Sequence, residues 1–341
     1  MRPVPESVPW VKPNGVHSIL LILTGLILFL YALNNLSQGL KELSGDKLKT
    51  FLNRFTNNVF KGILSGIVVT ILLDSSSVVI IMAIALVSSG ALTFRQAMGI
   101  VMGANIGTTF SSQIFALNLG AYAAIPIAGG FILLFFAKKA LYRNLGKVIF
   151  SFGLLFFGLF TIEEAVAPLK ESDYFVHWLV TLEHTWKGLL TGTAVTIAVQ
   201  SSSATVGMVI GLANQDLISL TAGIAVMLGA ELGTCADTLI ASVGRSRAAV
   251  KTGLFHLLFN ILTILLGMLL LPYFTALVLW VSRGMGVAQT IANAHMLFNG
   301  LGVLVLLPFL PLFEQLLERS FPEKKGTDGP RPLLPNDAQP G

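Results

Sequence analysis

The chain has 341 residues, 54% hydrophobic and 11% charged, with 22 Lys and Arg against 17 Asp and Glu for a formal charge of +5. Soluble domains carry about 25% charged residues, so the composition argues against a soluble enzyme or a nucleic-acid binder and for an all-α polytopic membrane protein whose basic residues sit in cytoplasmic loops. The single cysteine, Cys235, excludes an internal disulfide framework and a cysteine metal cluster.

Residues 1–15 read as a tail. The apolar run Ser18–Leu33 has the length of a signal sequence, but few basic residues precede it and no small-x-small site follows, so a retained helix is expected. A spanning helix needs about 20 apolar residues. Stretches that meet this are Val16–Leu40, Gln96–Leu117, Ala121–Ala137, Leu145–Ala167, Leu220–Val243, Val250–Leu271 and Gly286–Leu312. Tyr273–Val281, after Pro272, reads either as a bent continuation or as a short separate helix, and residues 318–341, rich in Pro, Gly and charge, as a disordered tail. Two apolar stretches are interrupted. Val59–Gly90 contains "DSSS" at 74–77, and Trp186–Asn214 contains "QSSS" at 200–203. Four polar side chains in a row are too many for one stripe of an intact helix. Each stretch is therefore expected to be a re-entrant hairpin, two half-helices meeting at a polar tip, held where protein or a water-filled cavity satisfies the broken backbone.

The interruption is part of a duplication. At an offset of 126 residues and without gaps, "KGILSGIVVTILLDSSS" lies on "KGLLTGTAVTIAVQSSS" and "GANIGTT" on "GAELGTC"; 17 of the 57 aligned pairs from Gly62 to Asn118 are identical. The chain divides into repeat 1 at 16–118, a linker helix within 119–143, repeat 2 at 144–244 and C-terminal helices at 245–317. Three loops are basic: Lys41, Lys47, Lys49, Arg54 and Lys61 before the first hairpin; Lys138, Lys139, Arg143 and Lys147 before repeat 2; Arg245, Arg247 and Lys251 after it. The stretch before the second hairpin is acidic, with Glu163, Glu164, Glu171, Asp173 and Glu183. If each hairpin returns to its own side, the basic loops share one face. The positive-inside rule then makes the repeats inverted, with the N-terminus outside and the C-terminus in the cytoplasm of a cell whose plasma membrane holds the protein. Internal repeats of this kind belong to transporters, with the site at the repeat interface.

A lone serine in a membrane helix bonds a backbone carbonyl or a neighbouring helix. Three together, duplicated and flanked by half-helices, favour a ligand site. The amides that open the next half-helix lack partners and carry positive partial charge, which suits a phosphate-like anion. The carbonyls that end the preceding half-helix, with hydroxyl and amide oxygens, suit a hard cation such as sodium. Acids within a hydrophobic span point to function. Each repeat carries one acid and one amide at matching places, Asp74 with Asn105 and Gln200 with Glu231. A carboxylate here either binds the coupling cation, carries a proton, or is a neutral acid bonded to a neighbour. Asp237, six residues after Glu231, is expected nearer the membrane edge. "HLLFN" at 256–260 and "HMLFN" at 295–299 put His and Asn on one helix face, for polar packing between helices or a role beside the path. No P-loop is present, which argues against ATP as the driving force.

"VQSSSAT", "GAELGT", "HLLFN" and "AHMLFN" resemble the type II sodium/phosphate cotransporter family in its bacterial branch, over about Ser18 to Leu312. The resemblance implies a secondary active transporter, not an enzyme, that carries inorganic phosphate with sodium as coupling ion and without a cofactor. In that family each inverted repeat supplies a QSSS hairpin, and the two tips form the site. Carried over, phosphate falls to Ser75, Ser76, Ser77, Ser201, Ser202 and Ser203, and sodium to Asp74, Gln200, Asn105, Thr108, Glu231 and Thr234. Asp74 stands where the family has glutamine, and Glu231 where the second copy has asparagine. These departures leave open an extra bound cation, a protonated acid with proton coupling, or another oxyanion; a passive anion channel or a non-transporting scaffold is the alternative of a different class.

Overall fold

The computed structural model describes residues 15–44, 48, 50–52 and 56–322, and among them all regular structure is helical. Most of the expected N-terminal tail, the basic residues Lys47, Lys49 and Arg54, and the expected tail beyond Pro322 lie outside the described residues. The first half contributes α1 (Gly15–Ser44), α2 (Val59–Leu73), α3 (Ser76–Ser88), α4 (Phe94–Phe115) and α5 (Ala124–Phe136). The second contributes α6 (Ala140–Val166), α7 (Asp173–Thr181), α8 (Thr185–Val199), α9 (Ser202–Asn214), α10 (Leu220–Gly233) and α11 (Cys235–Ser242). Then come α12 (Arg247–Leu269), α13 (Leu271–Val281), α14 (Val287–Leu306) and α15 (Leu310–Ser320).

Five stretches are long and apolar enough to cross a bilayer: His17–Leu43, Ala140–Glu171, Leu220–Ser242, Arg247–Leu269 and Val287–Ser320. Large apolar side chains such as Phe60, Phe135, Phe136, Ile240 and Leu269 point outward from the bundle, as a surface in contact with lipid requires. The chain is an all-α polytopic membrane protein. Several elements differ in outline from the sequence expectation. α5 has 13 residues, about 20 Å at 1.5 Å per residue, and is preceded by a 3-10 turn at Gly120–Tyr122. Pro308 and Pro311 turn the end of α14 into a 3-10 step before α15, and α15 carries regular structure to Ser320, inside the stretch expected to be disordered. α13 follows α12 directly, with the Phe274 amide bonded to the Leu270 carbonyl at 2.9 Å.

The duplication is built into the packing. α2 lies along α4 as α8 lies along α10. The helices of each pair touch backbone to backbone at a glycine: a Cβ on Gly103 would fall on the Ile63 carbonyl, and one on Gly229 on the Leu189 carbonyl. α1 and α6, the first helices of the two halves, pack against each other. One buried apolar cluster surrounds α3, with α4, α12 and α15; the other surrounds α9, with α1, α6, α10 and α14. α12 packs on α3, α4 and α11, and α14 on α4, α9 and α10. Each of these two later helices thus holds one half-helix and touches both repeats.

Candidate substrate and ion site

Both polar runs are helix breaks. α2 ends at Leu73, and Asp74 takes the left-handed conformation (φ 53°, ψ 32°) with its amide bonded to the Thr70 carbonyl at 2.7 Å. α8 ends at Val199, and Gln200 does the same (φ 57°, ψ 31°), its amide on the Thr196 carbonyl at 2.7 Å. A side chain in this region costs about 1–2 kcal/mol, which helix ends normally avoid by placing glycine there. The chain accepts that cost twice and keeps a carboxylate or an amide at the break. The next residue is extended, Ser75 (φ −157°, ψ 109°) and Ser201 (φ −155°, ψ 114°), and each serine caps the following half-helix. Ser75 Oγ accepts from the Val78 amide at 3.3 Å, and Ser201 Oγ from the Ala204 amide at 3.1 Å. The first intrahelical bonds begin at Val79 and Thr205, which leaves the amides of Ser76, Ser77, Ser202 and Ser203 at the mouth of each helix, where an anion is favoured.

The six serines differ in exposure. Ser76, Ser202 and Ser203 are buried, while Ser75, Ser77 and Ser201 are half-buried; Asp74 is half-buried and Gln200 exposed. Two carboxylates meet hydroxyls here. Asp74 accepts a hydrogen bond from Ser111 on α4. Asp237 on α11 accepts from Ser77 Oγ at 3.4 Å, a contact from repeat 2 to the tip of repeat 1.

The remaining residues assigned to sodium are engaged by the protein. The Thr108 and Thr234 hydroxyls donate to the Ala104 and Ala230 carbonyls, one turn back on their own helices, each at 3.0 Å. Asn105 Nδ2 donates to Asn260 Oδ1 at 3.1 Å. Glu231 is 4% exposed; its Oε1 lies 2.6 Å from His295 Nε2 and accepts from Asn299 Nδ2 at 3.3 Å. His295 Nδ1 in turn lies 2.6 Å from Ser112 Oγ. The "HLLFN" and "HMLFN" motifs therefore serve the two repeats. α12 brings His256 to Thr238 and Asn260 to Asn105; α14 brings His295 to Glu231 and Ser112. Sequence reasoning missed Ser111, Ser112 and Thr238. The available signal was the duplication itself, since Ser111 and Ser112 fall on Asp237 and Thr238 at the offset of 126.

The sequence pattern of the Na+/Pi-cotransporter family matches residues 28–164 and 172–305, one stretch for each half. The chain belongs to this family. Membership makes it a membrane transporter and not an enzyme. The uncharacterized protein YqeW of Bacillus subtilis (strain 168) is 32% identical over 312 residues, covering 90% of this chain and 99% of that protein. YjbB of Escherichia coli (strain K12), provisionally named an inorganic phosphate export protein, is 25% identical over 295 residues, 86% of this chain and 54% of YjbB. The human sodium-dependent phosphate transport protein 2B is 35% identical over 106 residues, 30% of this chain and 15% of that protein. The chain thus spans about half of YjbB and a small part of the human protein. No solved structure matches it.

Proposed function

We propose that this protein is a secondary carrier that moves inorganic phosphate across the cell membrane together with sodium. The observation that carries the reading is the tip built twice: a left-handed residue with an oxygen-bearing side chain, a serine cap, and free amides with serine hydroxyls opening the next half-helix. Phosphate is held between these helix mouths by Ser75, Ser76, Ser77, Ser201, Ser202 and Ser203. Sodium sits beside Asp74 and Gln200, where the carbonyl ends of α2 and α8 face the break. Asn105, Thr108, Glu231 and Thr234 lie on the helices behind the breaks and fix that geometry. The family membership and the names of YjbB and of the human protein support phosphate as the cargo. The loop charges support inverted repeats, with the basic loops in the cytoplasm and the two hairpins entering from opposite faces.

The test is uptake of radiolabelled phosphate into proteoliposomes with sodium, potassium and proton gradients imposed one at a time. Uptake driven by the sodium gradient alone is expected. Uptake that ignores sodium rejects the coupling, and no uptake under any gradient rejects the cargo. The name of YjbB favours a second reading, in which net flux in the cell is outward. A carrier of this type runs down whichever combined gradient is steeper, so phosphate-loaded vesicles under a reversed sodium gradient should release phosphate through the same protein.

A further inference from the structure

We infer that Asp237 is a specificity-determining residue, a carboxylate that accepts a hydrogen bond from the hydroxyl of a protonated oxyanion and so admits phosphate and rejects sulfate. Its role rests on the transport reading, since only a carried anion meets it there. Asp237 is half-buried on α11, a helix of repeat 2 that packs on α3 of repeat 1. Its hydrogen bond comes from Ser77 Oγ at 3.4 Å. Ser77 is the second residue of α3, and its amide is one of those left free at the mouth of that helix. The carboxylate therefore stands at the amide end of a half-helix, where the positive partial charge draws an anion and disfavours a sodium ion. Asp74 stands at the opposite kind of end, beside the last carbonyls of α2, and is the acid that suits a cation.

A carboxylate beside an anion is repulsive unless a proton lies between them. It offers only acceptors, and the Ser77 oxygen, with its proton turned to Asp237, adds a lone pair. The mouth of α3 thus has amides for bare oxygens and an acceptor for a hydroxyl. Phosphate carries both kinds of oxygen: its forms near neutral pH keep a P–OH, as arsenate keeps an As–OH, and sulfate has none. The other tip lacks this device. Ser203 stands at the place of Ser77, and Ser111 at the place of Asp237. Ser111 donates to Asp74 on its own tip, and among the described residues no carboxylate bonds a serine of the second tip. One helix mouth therefore offers donors to bare oxygens, and the other sets an acid beside its donors. A site whose polar group needs a ligand hydroxyl rejects an analogue without one by a factor on the order of 10,000, here because the analogue would press bare negative oxygens together.

The test is phosphate uptake by the full chain in proteoliposomes near neutral pH, under a fixed sodium gradient, with sulfate or arsenate as competitor. In the wild type arsenate should compete, and sulfate at about hundredfold excess over phosphate should not. Sulfate that competes in the wild type overturns the inference without any variant. Asp237→Asn replaces one acceptor by an amide that can donate to a bare oxygen. Sulfate should then compete, the KM for phosphate should rise about tenfold, and the sodium concentration for half-maximal uptake should not move. Asp237→Glu keeps the carboxylate and should keep sulfate out. If Asp237→Asn does not fold, Asp237→Ser, which copies the matching residue of repeat 1, gives the same readings. A fall in maximal rate with sulfate still excluded makes Asp237 a structural residue and overturns the inference. A higher sodium requirement with unchanged anion selectivity makes it a cation ligand and also overturns it. A wild type that carries no phosphate rejects the proposed function and this role with it, whereas phosphate uptake whose selectivity ignores Asp237 rejects this role alone.

Discussion

At the first break the left-handed residue is the acid Asp74, and at the second it is the amide Gln200; on the helices behind them the order reverses, with the amide Asn105 in repeat 1 and the acid Glu231 in repeat 2. The backbones of the two tips agree within a few degrees. The duplication has therefore kept the shape of each tip and varied its charge. Shape is what helix termini need to present amides to an anion. Charge is what sets how many cations must accompany it. The two halves can be tested as one device built twice with different charges, first by what they share and then by where they differ.

What they share most strictly is the glycine contact. Gly103→Val and Gly229→Val would each drive a side chain into a carbonyl of the facing helix, Ile63 or Leu189. Backbone cannot yield as a side chain can, so each change should cost about 3 kcal/mol or more. We expect little folded protein from either variant in detergent gel filtration, with equal losses. A marked inequality would mean that the two helix pairs do not bear the same load.

The serine caps come next. Ser75→Ala and Ser201→Ala remove the acceptor for the Val78 and Ala204 amides. The lost cap costs about 1 kcal/mol of stability. The larger effect is on phosphate: a lost hydrogen bond to a charged group is worth about 1.5–3 kcal/mol, and apparent affinity in the uptake assay should fall about tenfold or more. If both variants bind and carry phosphate as the wild type does, the tips are not the site.

The breaks and the duplication were legible in the sequence because of a physical exclusion. Three serines beside an acid or an amide cannot all face one apolar stripe, and the pattern occurs twice at one spacing. The helix ends at Leu73 and Val199 then followed closely. The chain from Ser112 through His295 to Glu231 was not legible. It joins residues 183 and 64 positions apart, and α14 lies outside the duplication, so no local pattern reports its contacts. The contact of Asp237 is hidden for a similar reason. Its spacing from Glu231 suggests the membrane edge, yet α11 turns it to Ser77. Spans containing proline also misled by outline, since hydropathy averages across Pro308 and Pro311 while the backbone does not.

The charge difference at the breaks can be exchanged. Asp74→Gln makes both tips carry the amide of Gln200, and should raise the sodium concentration needed for half-maximal uptake about tenfold, the scale of a lost charge-assisted contact. Adding Gln200→Asp restores one acid at the opposite tip. If the tips share one site, the double variant should recover part of the loss. If the sodium curve of Asp74→Gln is unchanged, Asp74 is not a cation residue.

The smallest difference concerns one hydroxyl. In repeat 2, Thr196 Oγ1 donates to Thr205 Oγ1 at 2.7 Å, and Thr205 also donates back to the Ser201 carbonyl at 3.2 Å, which ties the end of α8 to the start of α9. In repeat 1 the counterpart of Thr196 is Thr70, and the counterpart of Thr205 is the fully buried Val79. Thr70 Oγ1 is buried and has no partner. Valine and threonine have nearly the same shape, so Val79→Thr should place a hydroxyl where Thr70 can use it and tie α2 to α3 in the same way. A hydrogen bond that satisfies a buried group is worth about 1 kcal/mol, and the variant should unfold at a slightly higher temperature in nanodiscs. Thr205→Val is the converse and should destabilise by about 1–3 kcal/mol, because it strands the Thr196 hydroxyl. If Val79→Thr instead lowers stability, the two breaks differ in spacing as well as in composition, and a hydroxyl at position 79 cannot reach Thr70.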